Sequence, residues 1–130
     1  MIAIWYSIER PTTAEIQQLA RQGYDLVHDE TISRLVTLGN NIRRKKDMRE
    51  FVQLLRQIII QHKAKAIYGT LPVPFLAYLR EKTRICGYDI PALVGSVYCF
   101  SPYRVGKRKV TWYLIGYFPL TTTFCRTRTR

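Results

Sequence analysis

Ser7, Glu9 and Arg10 close one short apolar run of the chain, and Gly69, Thr70 and Leu71 close another. Each group follows residues of strand character and leads toward a helix start, "RPTTAE" after the first and "TLPVPF" after the second. These residue types suit an anion. A serine or threonine hydroxyl donates to a phosphate oxygen, an arginine adds a charge-assisted contact, and a glycine lets backbone approach closely. The helix that opens near Leu71 adds amides that have no partner inside the helix, with Pro72 and Pro74 in its first turn. The plainer reading is that Gly69 relieves a turn, Thr70 caps the helix and Arg10 is a surface charge. Both readings stand on the residues alone.

His28 follows a second short strand, "YDLVHD", and is the candidate proton carrier, since an imidazole exchanges protons near neutral pH. Its other reading is structural. His62 ends a long helical stretch and is expected to face solvent or the helix carboxyl end. Glu9, at a strand exit, can orient an attacking group or a ligand, although its charge repels phosphate. Glu15, Asp47 and Glu50 have simpler roles as helix-capping carboxylates. Neither GxGxxG nor GxxxxGK[ST] occurs, so NAD binding and P-loop nucleotide hydrolysis drop out and no cofactor is expected. With no histidine cluster and no evident carboxylate pair, metal-dependent cleavage is not the leading chemistry either.

The elements that must hold these residues read as an α/β domain. "IAIWYSI" is apolar on both alternating faces, as a central strand of a parallel sheet is. Thr12 with Glu15 forms a capping pair for a helix that Gly23 ends, and Asp29 caps a second helix through "ETISRLVTLG" with Ile32, Leu35, Val36 and Leu38 inward. Asp47 and Glu50 are the expected capping pair of a long helix whose Phe51, Leu54, Leu55, Ile58 and Ile59 cover the sheet. "AKAIYG" is a third strand and "TLPVPFLAYLREKT" a fourth helix. "DIPALVGSVYCF" and "KVTWYLIGYF" then form a hairpin around the turn "SPYRVGKRK". The expected whole is a single Rossmann-like domain over residues 1–118, with a mainly parallel sheet and a C-terminal β-hairpin, followed by a basic tail over 119–130.

Twenty-one Lys and Arg against nine Asp and Glu give a net charge of +12 in 130 residues, a field that draws anionic partners without naming one. The basic runs are "RRKK" at 43–46, "RVGKRK" at 104–109 and the terminal "RTRTR"; with Tyr98, Tyr103 and Trp112 as stacking surfaces they could bracket linear RNA or single-stranded DNA. Loops of such charge are also ordinary solvated faces. Cys86, Cys99 and Cys125 are odd in number and lack CxxC spacing, and no apolar run reaches membrane-spanning length. A soluble cytoplasmic protein without membrane contact is expected. The bulky final strand, Tyr113 to Phe118, is expected either inside the monomer or against a second copy in a homodimer.

"IAIWYSIERPTTAEIQQLARQGY", the long helix and "KAIYGTLPVPFLAYLREKT" together resemble the small standalone CRISPR-associated Rossmann-like (CARF-type) proteins, over about residues 1–118. Members of that family sense cyclic oligoadenylates, and some are ring nucleases that cut them. The resemblance implies ligand-facing positions at Ser7 to Arg10 and at Gly69 to Thr70, and a homodimer that cleaves the ring without metal. The ribose 2′-hydroxyl would attack the adjacent phosphodiester, with Ser7 and Thr70 orienting oxygens and Arg10, Gly69 and the helix amides from Leu71 binding the developing anion. Lys107 and Arg108 would close over the ligand and His28 would shuttle a proton. Noncatalytic binding of linear RNA or single-stranded DNA, and a role in protein association, remain the alternatives.

Overall fold

The computed structural model describes residues 1–86, 97–105 and 109–120, without the side chains of 82–86, 105 and 109. Strand β1 (Ile2–Tyr6) leads to helix α1 (Thr13–Ala20), strand β2 (Asp25–Val27) and helices α2 (Glu30–Gly39) and α3 (Lys45–His62). Strand β3 (Ala64–Gly69), helix α4 (Val73–Cys86) and strands β4 (Val97–Val105) and β5 (Lys109–Phe118) follow. The five strands form one sheet in the order β2-β1-β3-β4-β5. The first four are parallel and β5 returns antiparallel to β4, so the α/β reading with its terminal hairpin holds.

Strand order reverses between β1 and β3: from β1 the chain moves to β2 on one side, then returns past β1 to β3 on the other. Right-handed crossovers therefore send α1 to one face and the later helices to the opposite one. The two cores match. Ala3, Trp5, Ala66 and Tyr68 meet Leu19 of α1 on one face. Ile4, Tyr6 and Ile67 meet Ile32, Leu35, Phe51, Leu55, Ile58, Ile59, Phe75 and Leu79 of α2, α3 and α4 on the other. β1 is apolar on both faces because both are covered. A register shift where Ile2 pairs Ala64 and Ala3 pairs Ala66 leaves Lys65 as the extra, exposed residue of β3.

Local signals explain most helix ends. The Thr12 hydroxyl accepts from the Glu15 amide and the Glu15 carboxylate accepts from the Thr12 amide, the reciprocal pair expected. Asp29 accepts from the Ile32 amide at the start of α2. α3 differs from expectation: it begins at Lys45, and Asp47 lies in its first turn, reaching back to the amides of Arg43 and Arg44 at 3.0 and 2.9 Å. Glu50 is exposed farther along the helix.

The hairpin also differs. "SPYRV", read as turn, is the continuation of β4, with Ser101, Pro102, Tyr103 and Arg104 paired to Tyr113, Trp112, Thr111 and Val110. β3 pairs β4 only as far as Phe100, so Pro102 lies where β4 has no neighbour on that side and a missing donor is tolerated. Of the segment read as "DIPALVGSVYCF", residues 89–96 lie outside the described ones, as do 106–108 and 121–130 of the basic turn and tail. Pro119 is buried and Leu120 packs against the larger core, so the first tail residues belong with the domain.

Candidate functional site

In a doubly wound sheet, a crevice opens outside the carboxyl ends of the strands where their order reverses. Here that point lies between β1 and β3, whose parallel register pairs Tyr6 with Gly69. Ser7 and Thr70 are the next residues of two adjacent strands, so the fold brings those two predicted positions to one place.

The β1–α1 connection is tied down. The Glu9 amide donates to Ser7 Oγ at 3.1 Å, the indole of Trp5 donates to the Glu9 carbonyl at 3.0 Å, and the Ser7 amide donates to the Trp5 carbonyl at 3.1 Å. With one lone pair engaged, the Ser7 hydroxyl keeps its proton for an outside acceptor. His28 Nε2 lies 2.7 Å from the Ser7 carbonyl oxygen. A carbonyl only accepts, so Nε2 carries the proton and Nδ1 is the nitrogen left for other chemistry. His28 thus ties the exit of β2 to that of β1. Glu9 and Arg10 are exposed beside it.

Gly69 has a local structural cause. Its φ is +155°, and a Cβ there would stand 2.3 Å from the Tyr6 carbonyl oxygen and 2.8 Å from the Tyr6 Cβ. The glycine lets the two strand exits touch, whatever it also offers a ligand. Thr70 is exposed and α4 begins at Val73, later than the expected start near Leu71; the first helical acceptor is the Pro72 carbonyl, which receives the Leu76 amide at 2.9 Å. Thr70 therefore stands ahead of the cap position. Leu71 is buried in the larger core, so its side chain is engaged there and only its backbone faces the question of a ligand.

The amides of Thr13 and Ala14 are the ones at the α1 start that its capping pair leaves for an outside partner. Lys107 and Arg108 lie outside the described residues. The stacking candidates divide: Tyr98 and Trp112 share the α1 face of the sheet with Phe100, whereas Tyr103 alternates onto the other face beside Tyr113. Trp112 is wedged edge-on against Trp5 and Tyr68, with its indole nitrogen buried and unpartnered, while Tyr98 is 43% exposed.

His62 Nε2 sits 3.3 Å from the Asp29 carboxylate, without hydrogen-bond alignment, so it faces the start of α2 rather than the crevice. An open groove between α2 and α3, lined by Arg34, Thr37, Leu38, Glu50, Gln53, Leu54 and Gln57, lies on the outer side of those helices. Among the described residues, no three His, Cys, Asp or Glu side chains gather as for a metal ion, and no helix is long and apolar enough to cross a membrane.

Sequence reasoning missed two features of this end of the molecule. Gly39, at the end of α2, packs against the Tyr6 hydroxyl and Pro72, and the hydroxyl is buried without a partner. Neither follows from local pattern, because both depend on how α2 docks on β1. Comparison with known proteins finds no family model that matches the chain, and no curated protein or solved structure that is similar to it.

Proposed function

We propose that the protein is a homodimeric ring nuclease that binds a cyclic oligoadenylate in the β1/β3 crevice and opens it without metal. The observation that carries this reading is the pairing of Tyr6 with Gly69, so that Ser7 and Thr70 follow the exits of two adjacent strands at the switch point. In the reaction, a ribose 2′-oxygen attacks the adjacent phosphorus and the 5′-oxygen of the next nucleotide leaves, giving a 2′,3′-cyclic phosphate and a 5′-hydroxyl. The 2′-hydroxyl proton is released and the departing oxygen gains one. Ser7 donates to a nonbridging oxygen, its hydroxyl already oriented by the Glu9 amide. Thr70 holds a ribose or phosphate oxygen from the other strand exit, and Arg10 supplies charge. The free Nδ1 of His28 is the candidate proton carrier. Lys107 and Arg108 are assigned to closure over the ring. A cytoplasmic setting belongs to this reading, on the odd number of cysteines and their lack of CxxC spacing.

The test is incubation with cyclic tetra- and hexa-adenylate in the presence of a chelator, with substrate and products resolved by chromatography. Cleavage is expected, with a loss of at least about 100-fold in Ser7→Ala or Thr70→Ala if they act on the developing charge. Ring that stays intact while bound removes the nuclease activity; undiminished cleavage in both variants moves the chemistry elsewhere.

The alternative is noncatalytic binding of linear RNA or single-stranded DNA, favoured by exposed Tyr98 on the same face as Trp112 and by the +12 charge. Tight binding of the rings with negligible affinity for linear strands would eliminate it.

A further inference from the structure

α2 ends over the crevice. A Cβ at Gly39 would stand 2.2 Å from the Tyr6 hydroxyl and 2.7 Å from Pro72, so the connection that follows, residues 40–44, lies at the same end of the sheet as Ser7 and Thr70. α3 must run back from there, because β3 begins at Ala64 directly after it. Ile42 packs against the core and anchors the connection, while Asn40, Asn41, Arg43 and Arg44 are exposed, as are Lys45 and Lys46 at the start of α3. The basic run at 43–46 therefore stands at the crevice end of the sheet, where it can serve as a wall.

The amides of Asn40, Asn41, Arg43 and Arg44 are already satisfied. The Asp47 carboxylate takes the amides of Arg43 and Arg44 and lies 3.9 Å from Arg44 Nε, whose side chain stays 76% exposed. What this wall offers a partner is side-chain charge on a fixed frame, and guanidinium groups match phosphate oxygens in geometry. At its base, Tyr6 is only 4% exposed and its hydroxyl has no hydrogen-bond partner. A buried donor left unpaired is costly, and an acceptor supplied from outside would remove that cost. Burial also holds the phenol in its protonated, donating form. Gly39, Pro72 and Phe51 meet beside this hydroxyl, so an oxygen enters only when the last turn of α2 and these neighbours shift.

We infer that the α2–α3 connection takes a phosphodiester of the bound oligonucleotide, with Arg43 and Arg44 on its oxygens and the Tyr6 hydroxyl donating from below. The inference rests on the crevice binding a phosphodiester ligand, cyclic or linear, and extends that site to residues that no strand exit contains.

The experiment compares the parent with Arg43→Ala/Arg44→Ala, Tyr6→Phe and, as a charge control at the opposite end of β3, Lys65→Ala. Each is titrated with fluorescent cyclic tetra-adenylate and with linear oligoadenylate at several salt concentrations, and its melting temperature is read without ligand. The double arginine variant should melt as the parent does, bind about tenfold or more weakly, and lose about 1.4 from the log–log salt slope for the linear strand, two contacts at roughly 0.7 each. Tyr6→Phe should melt at the same or a higher temperature, having shed an unpaired hydroxyl, yet bind about tenfold more weakly. Lys65→Ala should stay within about twofold.

Affinities within twofold of the parent in both the arginine and the Tyr6 variants overturn the inference, as does a Tyr6→Phe protein that loses stability without losing affinity. If rings are not cleaved but linear binding still falls in the variants, the nuclease reading fails and this one stands. A parent that binds neither ligand removes both.

Discussion

Gly69 is where a single atom decides whether the two strand exits can meet. A methyl group there must displace the Tyr6 carbonyl, which belongs to the pairing of β1 with β3, and must also adopt a φ of +155°. Gly69→Ala is expected to cost about 3 kcal/mol, from combined backbone strain and overpacking; a urea titration whose midpoint matches the parent would show the contact to be softer than described. That this residue is special was legible in "YGT", but its cause was not, because the atom it avoids belongs to a residue far away in sequence. The same holds for Ser7 and His28. Their types announced hydroxyl and proton chemistry, while the bond from His28 to the Ser7 carbonyl needed the parallel pairing of β1 with β2 to form. Cys99 shows the reverse: burial pushes its thiol up to about 12, making an unreactive core side chain of a residue that looks chemical in isolation.

At the scale of elements, α3 shows how a correct ingredient can be read three residues out. Asp47 looked like an N-cap because a carboxylate stood three residues beyond it, but its own carboxylate reaches backward to the amides of Arg43 and Arg44. Those two bonds, the Arg43 amide first, hold its pKa below the ordinary 3.8 against some desolvation, with smaller help from the charges of Arg44 and Lys46. Since the folded value lies below the unfolded one, the stabilisation is complete above 3.8 and fades as pH falls through the folded value. Asp47→Asn should therefore weaken the fold at neutral pH and flatten the acid limb of stability, read as urea midpoints across an acid series. An unchanged limb would mean that the carboxylate charge does nothing for the helix start. β3 was legible to the residue because Ala66, Ile67 and Tyr68 stand between a polar helix end and a glycine; the hairpin was legible too, but not the length of its first strand, because Ser101 and Pro102 are turn formers that here sit in a strand beyond the reach of β3.

At the scale of the whole molecule, the two edges of the sheet are unequal. β2 is three residues long, too short to recruit a neighbour, whereas β5 runs for ten, with neither charge nor proline from Val110 to Phe118 and with Tyr113 and Leu114 49% and 43% exposed. The proposed homodimer is best supported there, by antiparallel pairing of β5 with its copy across a two-fold axis. Leu114→Lys is expected to convert the dimer to monomer in light-scattering chromatography while changing monomer stability by less than about 1 kcal/mol; a parent of monomeric mass at every concentration removes the dimer. The order of the strands bears on biogenesis too. β1 is central, but its partner β3 follows only after α1, β2, α2 and α3. A chain leaving the ribosome carries Ala3, Trp5 and Tyr6 without the strand that completes their shelter until Ala64–Gly69 has emerged, a nascent state whose apolar strand is open to wrong partners before the crevice exists.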